Sequence, residues 1–127
     1  MRHFQRYFTL EEARAELPRL RDDLQRLQTE IRRLQDAHAA AEPAIAHADG
    51  NGGSAAAGKL FAQQNAVARI VEAIQARGIQ IKDPRQGLVD FPHWRDGKEV
   101  LLCWLLGEQD IEYWHDLESG FMGRHPI

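Results

Sequence analysis

The sequence predicts an α+β protein in which a long antiparallel helical hairpin packs on a small antiparallel sheet of three or four strands. Apolar residues in the first half recur at steps of three and four, which is typical of α-helices. From residue 79 onward, apolar residues alternate with polar ones between turn-forming segments, which is typical of strands. Because 127 residues are enough for one core and too few for two, we predict a single domain over residues 1–127.

The first helix is predicted to begin at Leu10. Thr9 and Glu12 form a capping box, in which each side chain satisfies a backbone amide at the helix start. Pro18 removes one helical hydrogen bond, so a kink is expected there, and helix-forming residues continue to about Ala41. One stripe of this helix carries a heptad seam of apolar residues, Leu10, Ala13, Leu17, Leu20, Leu24, Leu27, Ile31 and Leu34.

A turn is predicted between two long helices. Pro43 and the segment ADGNGGS at residues 48–54 favour a flexible loop over about residues 43–54. A second helix is expected from about Ala55 to Arg77, with Gly78 as its stop signal. The helical hairpin therefore spans about residues 9–78.

The remaining residues, 79–127, are predicted to form a compact β cassette. Strands are expected at 79–81, 88–92, 100–106 and 111–115, with a hairpin loop at Arg95-Asp96-Gly97-Lys98. The strand at 100–106 is apolar on both faces, so both faces need cover. The hairpin can cover one face, and either the C-terminal tail or a second subunit must cover the other.

Composition argues against several classes of function. The net charge is −3, and the 16 basic and 19 acidic residues are mixed along the chain, so nucleic acid is not expected as the main partner. The single cysteine, Cys103, excludes an internal disulfide and fits a reducing cytoplasm. No secretory signal and no apolar run long enough to span a membrane is apparent, and we predict a cytoplasmic protein.

Ionisable side chains in the β cassette suggest a metal site. Asp90 lies between Val89 and Phe91 and is expected to be buried, so its carboxylate needs a partner. Asp90, Glu108 and His115 come from neighbouring strands and a loop and are a candidate set of ligands for a divalent metal. The simpler interpretation, which the residues favour, is that His115 or Arg124 is a purely structural partner of Asp90.

Two further residues are candidates for ligand binding. Arg124 lies beside Gly120 and Gly123, whose backbone amides could bind an anion together with the guanidinium. Trp114 could line a ligand pocket. Cys103 lies in an apolar strand, which raises a thiol's pKa and favours a packing role over a nucleophilic one.

Four segments of the chain resemble a family of bacterial cytosolic proteins classed as domain of unknown function 2203. They are YFTLEEA at 7–13, GLVDFP at 87–92, CWLLGE at 103–108 and YWHDLESGF at 113–121. The resemblance covers nearly the whole chain and implies a cytosolic single-domain protein, without an activity. Relatives tend to carry a basic residue after the Cys-Trp pair, where this chain has Leu105, so a binding role for that residue does not carry over.

Two functions are consistent with these features. The first is an oligomeric protein-interaction module without catalytic activity, a dimer formed through the seam residues Leu17, Leu20, Leu24, Leu27 and Ile31. The second is a small enzyme of hydrolytic type that binds a divalent metal or another ligand in the β cassette.

Overall fold

The computed structural model describes residues 2–46 and 51–127, which form two long helices and a five-stranded sheet. The helices are α1 (Leu10–Ala46) and α2 (Asn51–Ala76). The strands are β1 (Gln80–Asp83), β2 (Leu88–Arg95), β3 (Lys98–Leu105), β4 (Tyr113–His115) and β5 (His125–Pro126). A single 3₁₀ turn, Phe121–Gly123, lies between the last two strands.

The helix start was predicted correctly, whereas the turn between the helices was predicted too long. The Thr9 amide donates to Glu12 and the Glu12 amide donates to Thr9, which is the expected capping box. Helix α1 continues through Pro18 and Pro43, and α2 begins at Asn51, so only residues 47–50 of the predicted loop lie outside the described residues. In the described part of the chain, neither helix has the length and hydropathy that crossing a bilayer requires.

The sheet is an antiparallel meander in the order β1-β2-β3-β4-β5. Asp96 and Gly97 both have positive φ, as a two-residue hairpin loop between β2 and β3 requires, which confirms the predicted loop. The prediction of three or four strands is wrong. The fifth strand is only two residues long and includes Pro126, so it carries neither alternation nor strand propensity.

The main core lies between the hairpin and one face of the sheet. Val89, Phe91, Leu102 and Trp104 on that face share one apolar cluster with the seam of α1 and with Ile70 and Ile74 of α2. The seam residues proposed as an oligomer interface are mostly in this core. Leu17, Leu20, Leu24 and Leu27 are 0–3% exposed and Ile31 is half-buried. The first four are therefore inaccessible to a second subunit as long as the chain keeps this fold.

The C-terminal tail, residues 116–127, covers the other face of the sheet. Residues 117–121 enclose a cavity together with Leu88, Asp90, Leu101, Cys103 and His115. The tail then returns beside β4 as β5, and the amide of Ile127 donates to the carbonyl of Glu112. The second apolar face of β3 is therefore covered by the C-terminal tail of the same chain and does not need a second subunit.

Gly87 is expected to tolerate substitution less well than Gly97. Both have φ near +77°, at +78° and +76°, where a side chain costs about 1–2 kcal/mol. A Cβ at Gly87 would also lie 2.6 Å from the Cβ of Leu106, whereas nothing lies within 4 Å at Gly97. Chemical denaturation should therefore give a clearly larger loss of unfolding free energy for Gly87→Ala than for Gly97→Ala, and equal losses would contradict the close packing of Gly87 on Leu106.

Candidate metal centre beneath the C-terminal tail

Strand register places three chemically reactive side chains on the sheet face under the tail. Asp90 in β2 is the register partner of Cys103 in β3, and His115 in β4 is the partner of Leu101. Since residues two apart on a strand point to the same face, Cys103 lies on the same face as Leu101 and His115. The three side chains therefore come from three adjacent strands and meet in one place.

Asp90 and His115 form a buried pair, with the two residues 1% and 2% exposed. His115 Nδ1 lies 2.7 Å from the carbonyl oxygen of Asp116 and must donate to it, because a carbonyl only accepts. His115 Nε2 lies 3.0 Å from Asp90 Oδ1. Burial alone would lower the pKa of His115, but the hydrogen bonds with Asp90 and Asp116 outweigh it and raise the pKa.

Cys103 is the third member of the cluster, and the sequence interpretation had assigned it only a packing role. Its Sγ, the Asp90 carboxylate and a His115 ring nitrogen all lie within 4.8 Å of one another. Burial, followed by the charge of Asp90, raises the pKa of Cys103 to about 12. The thiol is therefore protonated at neutral pH and is not a free nucleophile. The signal that would have found it is alternation, which puts Cys103 on the same face as Asp90 once β2 and β3 are paired.

A cavity of about 200 Å³ adjoins this cluster, between the sheet and the tail. Its walls combine the three side chains with apolar residues of the sheet and tail, including Leu88, Leu101 and Phe121. Lys82 of β1 and Glu118 of the tail also line it and add one charge of each sign. The cavity is large enough for several water molecules or a small ligand.

Glu108, the other predicted ligand, is not part of the described cluster of Asp90, Cys103 and His115. Its carboxylate accepts hydrogen bonds from Arg124 at 2.6 and 2.8 Å and from the Leu105 amide at 2.8 Å. Arg124 is also held by aromatic rings, with its guanidinium 4.0 Å from the Tyr113 ring centre and 4.5 Å from that of Phe121. This ion pair attaches the tail to the end of β3, so both partners are engaged within the protein.

Trp114, predicted to line a ligand pocket, lies on the opposite side of β4 from His115. Its ring packs against the apolar core and contacts the His125 ring in a tilted arrangement, with 4.7 Å between the ring centres. The Arg95 guanidinium lies 4.9 Å from the ring centre. Trp114 does not line the cavity beside Asp90 and His115.

A second polar cluster lies where the N-terminal segment crosses β3, and the sequence interpretation did not identify it. Glu99 is 8% exposed, and its carboxylate accepts hydrogen bonds from the Tyr7 hydroxyl, the His3 amide at 2.7 Å and the His3 ring. Burial alone would raise the pKa of Glu99, but these donors together lower it to about 2. The partners are more than 90 residues apart in sequence, so no local pattern connects them.

The lowered pKa of Glu99 predicts a specific loss of stability in acid. A carboxylate whose pKa falls from 4.5 to about 2 on folding contributes stability that is complete above pH 4.5 and is lost as the pH falls through about 2. Glu99→Gln should therefore reduce the unfolding free energy at neutral pH and flatten its fall between those two pH values, as measured by urea denaturation. The matched change Glu72→Gln, at an exposed position of α2, should leave the pH profile unchanged, and an unaltered profile in Glu99→Gln would contradict this account.

Comparison with known proteins identifies the family but not the activity. A family model described as "Uncharacterized conserved protein (DUF2203)" matches residues 6–127, which is nearly the entire chain and includes both helices, all five strands and the three clustered side chains. No curated protein and no solved structure gives a significant match. The chain belongs to the DUF2203 family of uncharacterised conserved proteins.

Proposed function

We propose that this protein binds a divalent transition metal through Asp90, Cys103 and His115 and uses it for hydrolytic chemistry. One observation carries the proposal: three buried side chains of metal-ligating type lie within 4.8 Å of one another at the wall of a cavity. A lone buried carboxylate needs one partner, which His115 provides. The Cys103 thiol at the same point adds a third side chain of metal-ligating type.

The orientation of His115 supports this proposal. Histidines that ligate metals usually donate their other ring N–H to a backbone carbonyl or a carboxylate, which fixes the ring and its tautomer. His115 Nδ1 donates to the Asp116 carbonyl in this manner, so Nε2 is the nitrogen directed at Asp90. The same nitrogen would be the metal ligand.

The donor set favours zinc over magnesium or calcium. One sulfur, one imidazole nitrogen and one carboxylate oxygen suit a borderline-soft ion, whereas magnesium and calcium prefer oxygen ligands alone. Zinc binds such atoms at about 2.0–2.3 Å, so neighbouring ligand atoms in a tetrahedral site lie roughly 3.4–3.6 Å apart. The present limit of 4.8 Å means that side-chain movements of about 1 Å would complete the site.

Three protein ligands beside a cavity are typical of catalytic rather than structural zinc. In catalytic sites the fourth position holds a water whose pKa falls to about 7, which supplies a nucleophile at neutral pH. The cavity of about 200 Å³ adjoins all three side chains and offers space for that water and for a reacting group. These features favour the hydrolytic hypothesis over a purely structural Asp90–His115 pair.

Cobalt substitution distinguishes the two possible ligand sets. Titration of the protein with Co²⁺ should produce a thiolate-to-cobalt charge-transfer band in the near ultraviolet, and Cys103→Ala should abolish it. Glu108→Gln is the matched control, because Glu108 belongs to the set predicted from sequence and not to the proposed one. The proposed centre would be contradicted if the unmodified protein showed no charge-transfer band. It would also be contradicted if cobalt affinity fell in the Glu108→Gln variant and not in the Cys103→Ala variant.

A second candidate function is dimerisation through the helical hairpin. It is favoured by the low burial of side chains in the half of the hairpin that lies far from the sheet. Within residues 28–43 and 55–69, only Ala41 is buried among the described side chains, and Phe61 is 64% exposed. Ile31, Leu34, Leu60 and Val67 are half-buried in the same region. The same four residues on a second copy could cover these side chains. The proposed contact then lies farther along the hairpin than the seam from Leu17 to Leu27, which was predicted from sequence.

Native mass at several concentrations tests this dimer. The unmodified chain should be dimeric and Phe61→Ser monomeric, while Gln64→Ser, an exposed position one turn away, should remain dimeric. A chain that is monomeric throughout, or a Phe61→Ser variant with the dimer mass, would contradict self-association through the hairpin.

A further inference from the structure

A groove with only cationic charges lies beside the candidate metal centre. The groove runs between the N-terminal segment, residues 3–6, and residues 78–82 at the start of the sheet, and its volume is about 490 Å³. Three of its eleven lining residues can carry positive charge, namely His3, Arg6 and Lys82, and none is acidic. This is unusual in a chain with 19 acidic residues and a net charge of −3, and it favours a negatively charged ligand.

Lys82 connects the groove with the metal centre. It lines both the groove and the 200 Å³ cavity that contains Asp90, Cys103 and His115. Its side chain is exposed, and no ion pair with it occurs among the described residues. Lys82 is therefore the residue that the linings of the groove and of the cavity share.

The other two cations are positioned by contacts within the protein. Arg6 donates to the Arg77 carbonyl at 2.5 Å and its guanidinium lies 4.0 Å from the Phe8 ring centre, which fixes it at one end of the groove. His3 is held by Glu99. Lys82 is thus the cation with the most freedom to bind an incoming group, while Arg6 supplies a fixed positive charge at a distance from the centre.

We infer that the substrate of the centre is an elongated small molecule with an anionic group, a phosphate or a carboxylate, that binds Lys82 in this groove. The inference rests on the proposed metal centre for the chemistry, but anion binding itself requires no metal. A charge-assisted hydrogen bond to an oxyanion is among the stronger polar contacts. The groove and the adjoining cavity together could hold a ligand much longer than the reacting group alone.

Calorimetric titration of the full chain with inorganic phosphate, and separately with succinate, tests the inference without added metal. Lys82→Ala should weaken binding of the preferred anion by about 10-fold or more, which corresponds to the loss of one charge-assisted hydrogen bond. Lys98→Ala is the matched control, because Lys98 is also an exposed cation but pairs with Asp116 at 3.5 Å and does not line the groove. It should change affinity less than twofold.

The two anions distinguish a phosphate-bearing ligand from a carboxylate-bearing one, because the anion that binds with higher affinity indicates which anionic group the ligand carries. Failure of the unmodified chain to bind either anion at millimolar concentration, or equal losses in Lys82→Ala and Lys98→Ala, would overturn the inference. Zinc affinity is measured on the same variants and should not fall in Lys82→Ala, because the change removes a positive charge from the wall of the cavity beside the metal ligands. If the unmodified chain binds zinc but neither anion, the groove alone is refuted, whereas absence of zinc binding refutes the metal centre.

Discussion

Leu24→Ala is expected to lower the free energy of unfolding by about 2–5 kcal/mol, the range for large-to-small changes in a tight core. Leu24 is fully buried and belongs to the cluster that joins α1 to α2 and to the sheet. Removal of its side chain leaves a cavity that neighbours on three elements can fill only in part. Urea denaturation followed by circular dichroism measures the loss directly.

The control for this change is Leu34→Ala on the same helix. Leu34 is half-buried and lies outside the core cluster, so its replacement should cost clearly less than that of Leu24. The oligomer interface predicted from sequence requires a different result, in which Leu24→Ala alters the native mass and leaves stability nearly unchanged. That outcome would contradict the packing of the seam within one chain.

His115→Ala should also be strongly destabilising, by about 3–5 kcal/mol, because it leaves the Asp90 carboxylate buried without its partner. Replacement of both residues by apolar ones removes the buried charge along with the missing partner. Asp90→Leu/His115→Leu should therefore recover most of the lost stability, and the adjoining cavity provides room for the larger side chain at position 90. Chemical denaturation of the single and double variants measures this coupling.

A second histidine provides the control for this pair. His93 donates from Nδ1 to the Phe8 carbonyl at 2.7 Å and is half-buried, so His93→Ala should cost about 1 kcal/mol, as for one neutral hydrogen bond. A His115→Ala variant no less stable than His93→Ala would contradict the buried pair.

Periodicity and local turn chemistry were sufficient to predict most of the fold. The capping box at Thr9, the seam of α1 and the Asp96-Gly97 loop are local signals, and each corresponds to an element of the structure. The turn between the helices was predicted too long because Pro43 and the glycines at 50, 52 and 53 favour loops, whereas helix α1 continues to Ala46 and α2 begins at Asn51. β5 has two residues, too few for any pattern.

The partner of the seam could not be inferred from the seam itself. A heptad stripe shows that a helix face is buried and leaves open whether the same chain or another chain covers it. Leu17 to Leu27 are covered by α2 and by the inner face of the sheet, where β2 and β3 contribute large apolar side chains to the same cluster. That pairing depends on contacts far apart in sequence.

The candidate site was predictable in part for the same reason. Asp90 was expected to be buried because apolar neighbours flank it, and His115 was one of two partners considered, which the Asp90–His115 contact now supports. Glu108 was grouped with them because the three residues were expected on neighbouring strands and a loop, but its carboxylate accepts hydrogen bonds from the Leu105 amide and from Arg124. To predict that Cys103 lies beside Asp90, the register of β2 on β3 must be known. To predict that Lys82 lies near the same site, the pairing of β1 with β2 must be known.

Metal binding by Asp90, Cys103 and His115 can be measured in a native mass spectrum of the untagged protein after incubation with Zn²⁺ and buffer exchange. We expect one zinc per chain, lost in Cys103→Ala and retained in Glu108→Gln. Binding should also release the Cys103 proton, so retention of zinc should increase with pH. A spectrum without zinc, or equal zinc in Cys103→Ala and the unmodified chain, would contradict the claim and leave Asp90 and His115 as a structural pair.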